Sequence, residues 1–424
     1  MKTTASPVRH GRMPLRGAWV RILRLVAIVA AVALVSTGGI AAVSAWTFTS
    51  KLEANSVDIH PEQEDDQAPP AIGAHEGGFN VLIVAADNDA NQSEDLYGDR
   101  EGATLNDVNM LLHVSQDHKT AVAVSFPRDL IIAHPECEKG DAMSAAPINE
   151  AWGRGGLPCV ASTVKELTGL PIDYAVSMTF DAVIALTDSI GGVPICLTGP
   201  VKDKYIVYPD ENGVMQHLDL PAGVTNVKGG LAAGFLRSRH GVGDGGDLSR
   251  ISSQQQYLSS LVRQLKSNDT LSDFGKLYSL ANVVSEKKYF TLSSELARVD
   301  TMVSLAQSLR TIDLNNITFV QYPGTTDDPD YPGKVVPTQD AADTLFALIK
   351  ADQPFTLGAD SQPIGTTTAP TAPVDPAAPV DPAAPVDPAA PADPATPDAA
   401  APPVLDGVTG STAQQETCAI PAEG

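Results

Sequence analysis

The chain has 424 residues, 51 of them acidic and 28 basic, and a formal net charge of −23. So acidic a molecule is a poor partner for nucleic acid, and its length allows two domains or one of roughly 250 residues with long appendages. The charge is unevenly placed: residues 1–24 hold six basic groups (Lys2, Arg9, Arg12, Arg16, Arg21, Arg24) and no acid, which leaves −29 on the rest.

From Leu25 to Phe48 no charged residue occurs. At 1.5 Å per residue, a helix over 25–48 would cross a bilayer core of about 30 Å. The apolar run is longer than the core of a cleaved signal peptide, so an uncleaved anchor is expected. Basic residues ahead of a span stay inside, which makes 1–24 a cytoplasmic arm and puts everything after the span outside the cell membrane. Residues 49–78 are acidic, contain Pro61, Pro69 and Pro70, and read as a tether.

A folded domain is expected from Phe79. Asn80 to Ala86 is a continuously apolar run, consistent with a buried strand. Val108 to Ser115 and Thr120 to Phe126, joined by four polar residues, form a predicted hairpin. Helical spacing follows over Val160 to Gly169, then a strand over Ile172 to Thr179, a helix over Phe180 to Ile190 closed by Gly191 and Gly192, and a strand over Val193 to Thr198. Strands alternating with helices predict a three-layer α/β domain over 79–266. Residues 267–353 read as a mostly helical extension with a late strand at Asn316 to Pro323, short connections suggesting that it joins the same sheet. From 354 to 424 the composition turns to Pro and Ala, with four copies of the hexapeptide APVDPA over Ala372 to Ala395, the fourth carrying Ala392 in place of the valine. Such a segment favours extended polyproline II and is expected to be a spacer or a tail.

Four cysteines outside the membrane permit disulfides, in three possible pairings. Cys137 and Cys159 flank a short loop and are the expected pair, with Cys196 and Cys418 left by elimination. Neither the cysteines nor the histidines cluster as a zinc site does.

The most patterned polar stretch is Gly234 to Gln256, with three arginines, two aspartates and five glycines. Arg237 and Arg239 are two apart and on an extended segment would point to one side as an anion clamp. Asp247 is the expected N-cap of a helix with apolar residues at Ile251, Leu258, Leu261, Val262 and Leu265. Arg250 and Gln254 would then share one face near its first turn, where free N–H groups already favour an anion. The stretch reads as a phosphate or pyrophosphate cradle. In the predicted hairpin, Asp107 lies at the start of one strand and Arg128 and Asp129 at the end of the other, so all three would share one sheet edge. A carboxylate for Mg²⁺ or Mn²⁺ beside arginine forks is what phosphoryl chemistry requires. Asp95 and Asp99, in the acidic run before that edge, are candidate further ligands. No GxSxG elbow, P-loop or HExxH is present.

Taken together, NVLIVAAD, the aspartate of LNDVN, SFPRD, PINEAW with Asn149, LTGLPIDY, FDAVIALTDSIGGV, LPAG and FLRSRHGVGDGGDLSRISSQQQ resemble the LytR-CpsA-Psr proteins of Gram-positive cell envelopes, in the family's order from Phe79 to about Lys266. The resemblance implies an α/β/α domain and a phosphotransferase that moves a glycan from a polyprenyl-pyrophosphate carrier to a muramic acid hydroxyl of peptidoglycan, with polyprenyl phosphate leaving. It implies that Arg128, Arg237, Arg239, Arg250 and Gln254 contact the pyrophosphate and that Asp107, joined by Asp95 or Asp99, holds the metal. Asp129 and Asp247 would orient Arg128 and cap the helix. Asp107, or another carboxylate by the metal, is the candidate acceptor of the incoming hydroxyl's proton. Three positions depart from the family pattern: Leu105 and Pro147, where the family carries arginine and lysine, and Ser253, where it carries a basic residue. They keep a second reading open, a binding or scaffolding protein that holds lipid-linked glycan without turnover. Release of polyprenyl phosphate without an acceptor would instead be a pyrophosphatase side activity.

Overall fold

In the computed structural model, residues 47–60, 75–86, 105–210, 212–266, 280, 282–286, 289–369 and 402–422 are described. The expected membrane span lies outside them except for 47–48, as do Asp95, Asp99 and the APVDPA repeat. Among the described residues no helix is long and apolar enough to cross a membrane. The chain divides into Met1–Ser50, described only over a helical turn at 47–50, and Lys51–Gly424, which holds the folded elements.

The elements of Lys51–Gly424, in chain order, begin with β1 (Ser56–Val57), β2 (Phe79–Ala86), β3 (Asn106–Val114) and β4 (Ala121–Phe126). Helix α1 (Ala151–Thr168), β5 (Tyr174–Met178), α2 (Phe180–Ile190), β6 (Val193–Leu197), β7 (Val201–Pro209), β8 (Met215–Leu220) and β9 (Gly223–Val227) come next. Then come α3 (Gly229–Arg237), α4 (Asp247–Lys266), β10 (Phe290–Ser293), α5 (Val299–Thr311), β11 (Ile317–Gln321), α6 (Gln339–Lys350), β12 (Thr366–Thr368), β13 (Gly410–Thr412) and β14 (Thr417–Ala419). The fold is mixed α/β. Eight strands form the main sheet in the order β1-β10-β5-β2-β3-β4-β11-β13, and β9-β6-β14-β12 form a second. The predicted hairpin is β3–β4, antiparallel with Asn109 opposite Phe126. The late strand joins the same sheet as β11, parallel to β4.

Side chains alternate across each strand, and the two faces of the main sheet take different partners. Leu82, Val84, Leu111, Val124, Phe126 and Tyr322 pack with Val160 and Val164 of α1 and with Leu345, Phe346 and Ile349 of α6. The rings of Phe126, Tyr322 and Phe346 lie 5.5–6.4 Å apart at its centre. The other parity turns Ser125 and Gln321 toward α4, where Ser125 Oγ accepts from Gln255 Nε2 and Gln321 Nε2 donates to Ser252 Oγ. Helix α2 is as the sequence suggests: Thr179 caps its start, and Gly191 closes it with φ +86°, a value L side chains rarely adopt. Helix α1 starts earlier than its spacing indicates, at Ala151, and is interrupted at Gly155–Gly156.

Three expectations are corrected. The tether is not wholly outside the fold: β1 pairs with β10, and Leu52 and Ile59 are buried. Residues 354–424 are not simply a tail. Leu405 and Val408 enter the main core, β13 extends the main sheet beside β11, and β14 inserts between β6 and β12. Cys418 is bonded there to Cys196, and Cys137 is bonded to Cys159. Finally, α4 buries only part of its expected apolar stripe. Ile251 is buried, and Leu258 and Leu261 pack against an apolar cluster, but Leu258, Leu261, Val262 and Leu265 are only half-buried, while Gln254, Gln255, Gln256, Ser259 and Ser260 are buried. Gln256 Nε2 donates to the carbonyls of Cys196 and Thr417, and Arg263 Nη1 donates to that of Ala413. These side chains fasten α4 to both sheets by hydrogen bonds, the condition on which buried polar groups are tolerated.

Candidate active site

The site is built where the β3–β4 edge meets α3 and α4. The antiparallel register sets Asp107 beside Arg128, and Arg128 Nη1 lies 2.5 Å from Asp107 Oδ1. The backbone N–H of Arg128 donates to Asp247 Oδ2 at 3.0 Å. Arg250 Nη2 lies 2.6 Å from Asp247 Oδ1 and donates to the Asp107 carbonyl at 3.1 Å. Asp247 is the first residue of α4 and sends its carboxylate to these two arginines, so its role is to tie β4 to α4 rather than to cap the helix. The PINEAW segment supports the same edge: Asn149 N–H donates to the Arg128 carbonyl, and Trp152 N–H to Asn106 Oδ1.

Arg237 is the last residue of α3 and not part of an extended segment. The helix ends at Ser238, whose extended backbone still brings Arg237 and Arg239 to one cavity. That cavity, of about 170 Å³, is lined by Asp107, Arg128, Arg237, Arg239, Arg250 and Gln254, with Phe180, Tyr205, Ile206 and Leu236. The Arg237 guanidinium sits 5.2 Å over the Phe180 ring. Gln254 Nε2 donates to the Leu236 carbonyl, holding the end of α3 against α4.

Four guanidiniums face one carboxylate in this lining, and the electrostatics follow from that imbalance. Burial, then repulsion from Arg128 and Arg250, pushes the Arg239 guanidinium down from its ordinary range. Arg128 is pushed up: burial opposes its charge, but Asp107, Asp129 and Asp247 outweigh burial. The Nε atoms of Arg128, Arg239 and Arg250 are buried without a hydrogen-bond partner. Unmade bonds from buried cationic donors are costly, and an anion would supply them.

Asp129 does not line the cavity. It lies behind it, with Oδ2 3.5 Å from Arg128 Nε and Oδ1 2.7 Å from Lys334 Nζ. Lys334 escaped the sequence reading, and nothing near it in the chain points to a residue 205 positions away. Asp203 and Ser238 were also missed; Ser238 Oγ donates to Asp203 Oδ2 at 2.8 Å, and only its place between Arg237 and Arg239 could have drawn attention to it. Of the departures, Ser253 is buried and its hydroxyl donates to the Ser249 carbonyl, while Pro147 precedes the short helix Ile148–Glu150. For a divalent cation, Asp107 is the one carboxylate lining the cavity among the described residues. Among the described residues no group of three acidic, His or Cys side chains is placed to hold a metal.

Several known proteins resemble this chain. The cell wall biosynthesis protein LcpA of Corynebacterium glutamicum is 28% identical over 297 residues, covering 62% of this chain and 54% of that protein. The polyisoprenyl-teichoic acid–peptidoglycan teichoic acid transferase TagT of Bacillus subtilis is 24% identical over 189 residues, 45% of this chain and 53% of that protein. The chain thus spans about half the length of the curated relatives it matches. The crystal structure of protein gbs0355 from Streptococcus agalactiae shares the fold, with a TM-score of 0.53 at 17% identity over 65% of this chain and 88% of that one. The model of the LytR_cpsA_psr family matches residues 46–348, beyond both ends of the segment whose motifs carry the resemblance, and the protein belongs to that family.

Proposed function

We propose that the protein is an extracytoplasmic phosphotransferase that takes a glycan from a polyprenyl-pyrophosphate carrier and joins it to peptidoglycan through a phosphodiester. The observation that carries this reading is the convergence of Arg128, Arg237, Arg239 and Arg250 on a cavity that, among the described residues, holds one carboxylate, Asp107. An acceptor hydroxyl oxygen forms a bond to the glycan-bearing phosphorus. The bridging P–O bond breaks, polyprenyl phosphate leaves, and the hydroxyl proton passes to a base. In-line displacement of this kind is served by neutralising charge on the non-bridging oxygens, and no covalent intermediate is needed. The Nε–H donors of Arg239 and Arg250, buried without a hydrogen-bond partner, are suited to those oxygens.

A magnesium or manganese ion fits the donor set in a limited way. Magnesium commonly takes one or two carboxylates and completes its shell with substrate phosphates and water, and Asp107 would supply the protein ligand, with Asp95 and Asp99 as further candidates. Bound there, the ion would neutralise charge on the phosphates. Asp107 also holds Arg128 in place through the 2.5 Å pair. The basic arm over 1–24 and the apolar run over 25–48 support a single-pass anchor with the folded unit outside, and the two disulfides suit an oxidising compartment.

The test uses the full chain with a polyprenyl-pyrophosphate oligosaccharide, magnesium and peptidoglycan fragments, following release of polyprenyl phosphate. Acceptor-dependent release is expected, falling at least about a hundredfold in Asp107→Ala and Arg128→Ala and lost on chelation of the metal. Binding of the lipid without turnover would replace the transferase with a carrier-binding protein.

A further inference from the structure

Tyr205 is 65% exposed although it lines the arginine cavity. Its position is the product of a break in the β7–β8 ribbon. Val207 pairs with His217 and Asp203 with Leu218, so Lys204, Tyr205 and Ile206 have no partners across the ribbon. Bulges of this kind re-aim side chains, and they recur beside active sites. Here the bulge brings both Tyr205 and Ile206 to the cavity.

The bulge is also fixed relative to the arginines. Asp203, 2% exposed, accepts the Tyr205 backbone N–H on Oδ1 at 3.0 Å and the Ser238 hydroxyl on Oδ2 at 2.8 Å. Ser238 lies between Arg237 and Arg239, so one buried carboxylate couples the tyrosine to the cationic clamp. The His240 ring stands 4.9 Å from the Tyr205 ring at 59°, and Lys204 Nζ is 5.1 Å from its centroid. The ring is thus contacted by two residues that do not line the cavity, while most of its surface stays in solvent.

Resting on the reading that the arginines take a pyrophosphate, we propose that Tyr205 is a stacking platform for a pyranose ring at the cavity mouth and so helps to determine which sugar is accepted. An exposed aromatic face offers apolar contact to the C–H face of a sugar, and its hydroxyl can meet sugar hydroxyls at the rim. Beside a phosphate-binding pocket such a ring could belong to the donor, as the sugar joined to the pyrophosphate, or to the acceptor.

The experiment has an arm for each source. In the donor arm, the full chain in detergent binds polyprenyl pyrophosphate with and without one attached sugar. In the acceptor arm, KM for peptidoglycan fragments is measured at saturating donor. A donor platform predicts that wild type prefers the glycosylated lipid by about tenfold, that Tyr205→Ala erases the preference while keeping affinity for the bare lipid, and that Tyr205→Phe retains it. An acceptor platform predicts instead an about tenfold rise in KM in Tyr205→Ala with the donor preference intact. Thermal unfolding of Tyr205→Ala should match wild type, because the side chain is largely exposed. If wild type binds the bare lipid while Tyr205→Ala leaves both donor preference and acceptor KM unchanged, the platform is overturned and the arginine site stands. If wild type binds no pyrophosphate lipid at all, both fall together.

Discussion

Arg239 illustrates how the site is held out of electrostatic balance. Its guanidinium is half-buried, its Nε lacks a partner, and its charge is disfavoured by burial and by Arg128 and Arg250. Removing it should relieve the ligand-free fold: Arg239→Gln is expected to raise unfolding stability by about 0.5–2 kcal/mol while weakening pyrophosphate binding. Urea unfolding beside a lipid-binding titration would test this, and a destabilised Arg239→Gln would mean that the arginine is structural. Asp129 has the opposite role. Burial alone would raise its pKa, but the hydrogen bond from Lys334 and the charges of Arg128 and Lys334 hold the carboxyl below its ordinary 3.8. A carboxylate depressed in the folded state contributes stability that is fully present above its unfolded value and is lost as pH falls through the folded one. Lys334→Ala should therefore destabilise by about 1–3 kcal/mol at pH 7, discounted for the lysine's exposure. Because that stability is lost only as pH falls through the depressed Asp129 carboxyl, the difference should shrink as pH drops below 3.8. A gap that persists undiminished there would assign the loss to the lysine's packing.

At the scale of elements, legibility followed sequence distance and the kind of surface buried. The β3–β4 hairpin was readable because a short polar turn joins two apolar runs, and from it came the pairing of Asp107 with Arg128. Helix α2 was readable from its spacing and its two glycines. Helix α4 is legible in its position and in the burial of Ile251, but not in the rest of its buried face, where glutamines and serines bond the carbonyls of Cys196, Thr417 and Pro194 on strands 60 to 161 residues away. No periodicity announces such bonds. The same distance hid β14, whose place in the second sheet comes after a proline-rich repeat that reads as the end of the fold. The inserted strand makes a sharp prediction. The Cys196–Cys418 bond closes 222 residues of chain, a constraint on the unfolded state worth up to roughly 5 kcal/mol. Cys418→Ser should lower the unfolding midpoint far more than a surface substitution such as Val404→Ser. Equal midpoints for the two variants would show that β14 is held by its backbone pairing alone.

For the whole molecule, the position of the repeat between two folded segments matters more than its composition. Ala369, whose N–H donates to the Glu416 carbonyl, precedes the repeat, and Pro403, whose carbonyl accepts from Thr356, follows it. Both bonds tie these flanking points to the same unit, so in the chain the APVDPA copies connect two folded segments and do not trail from an end. Closure entropy grows only as the logarithm of loop length, about 0.6 kcal/mol per doubling, so the repeat's sequence should matter little to stability provided that β14 can return. Replacing Ala372–Ala395 with Gly and Ser at equal length should change unfolding stability by less than about 1 kcal/mol. Cutting the loop is a stronger test. With a protease site placed among the copies, cleavage leaves the C-terminal piece bonded through Cys418 and hydrogen-bonded to the loop after Arg239, where Gly243 N–H donates to the Ile420 carbonyl and Ala422 N–H to that of Gly241. The cut protein should therefore run as one species without reductant, keep its lipid binding, and lose both the fragment and the binding when the disulfide is reduced. Loss of binding on cleavage alone would mean that the repeat acts on the arginine site through its continuity; binding that survives reduction and removal of the fragment would mean that the glycine loop holds its shape without the C-terminal strand.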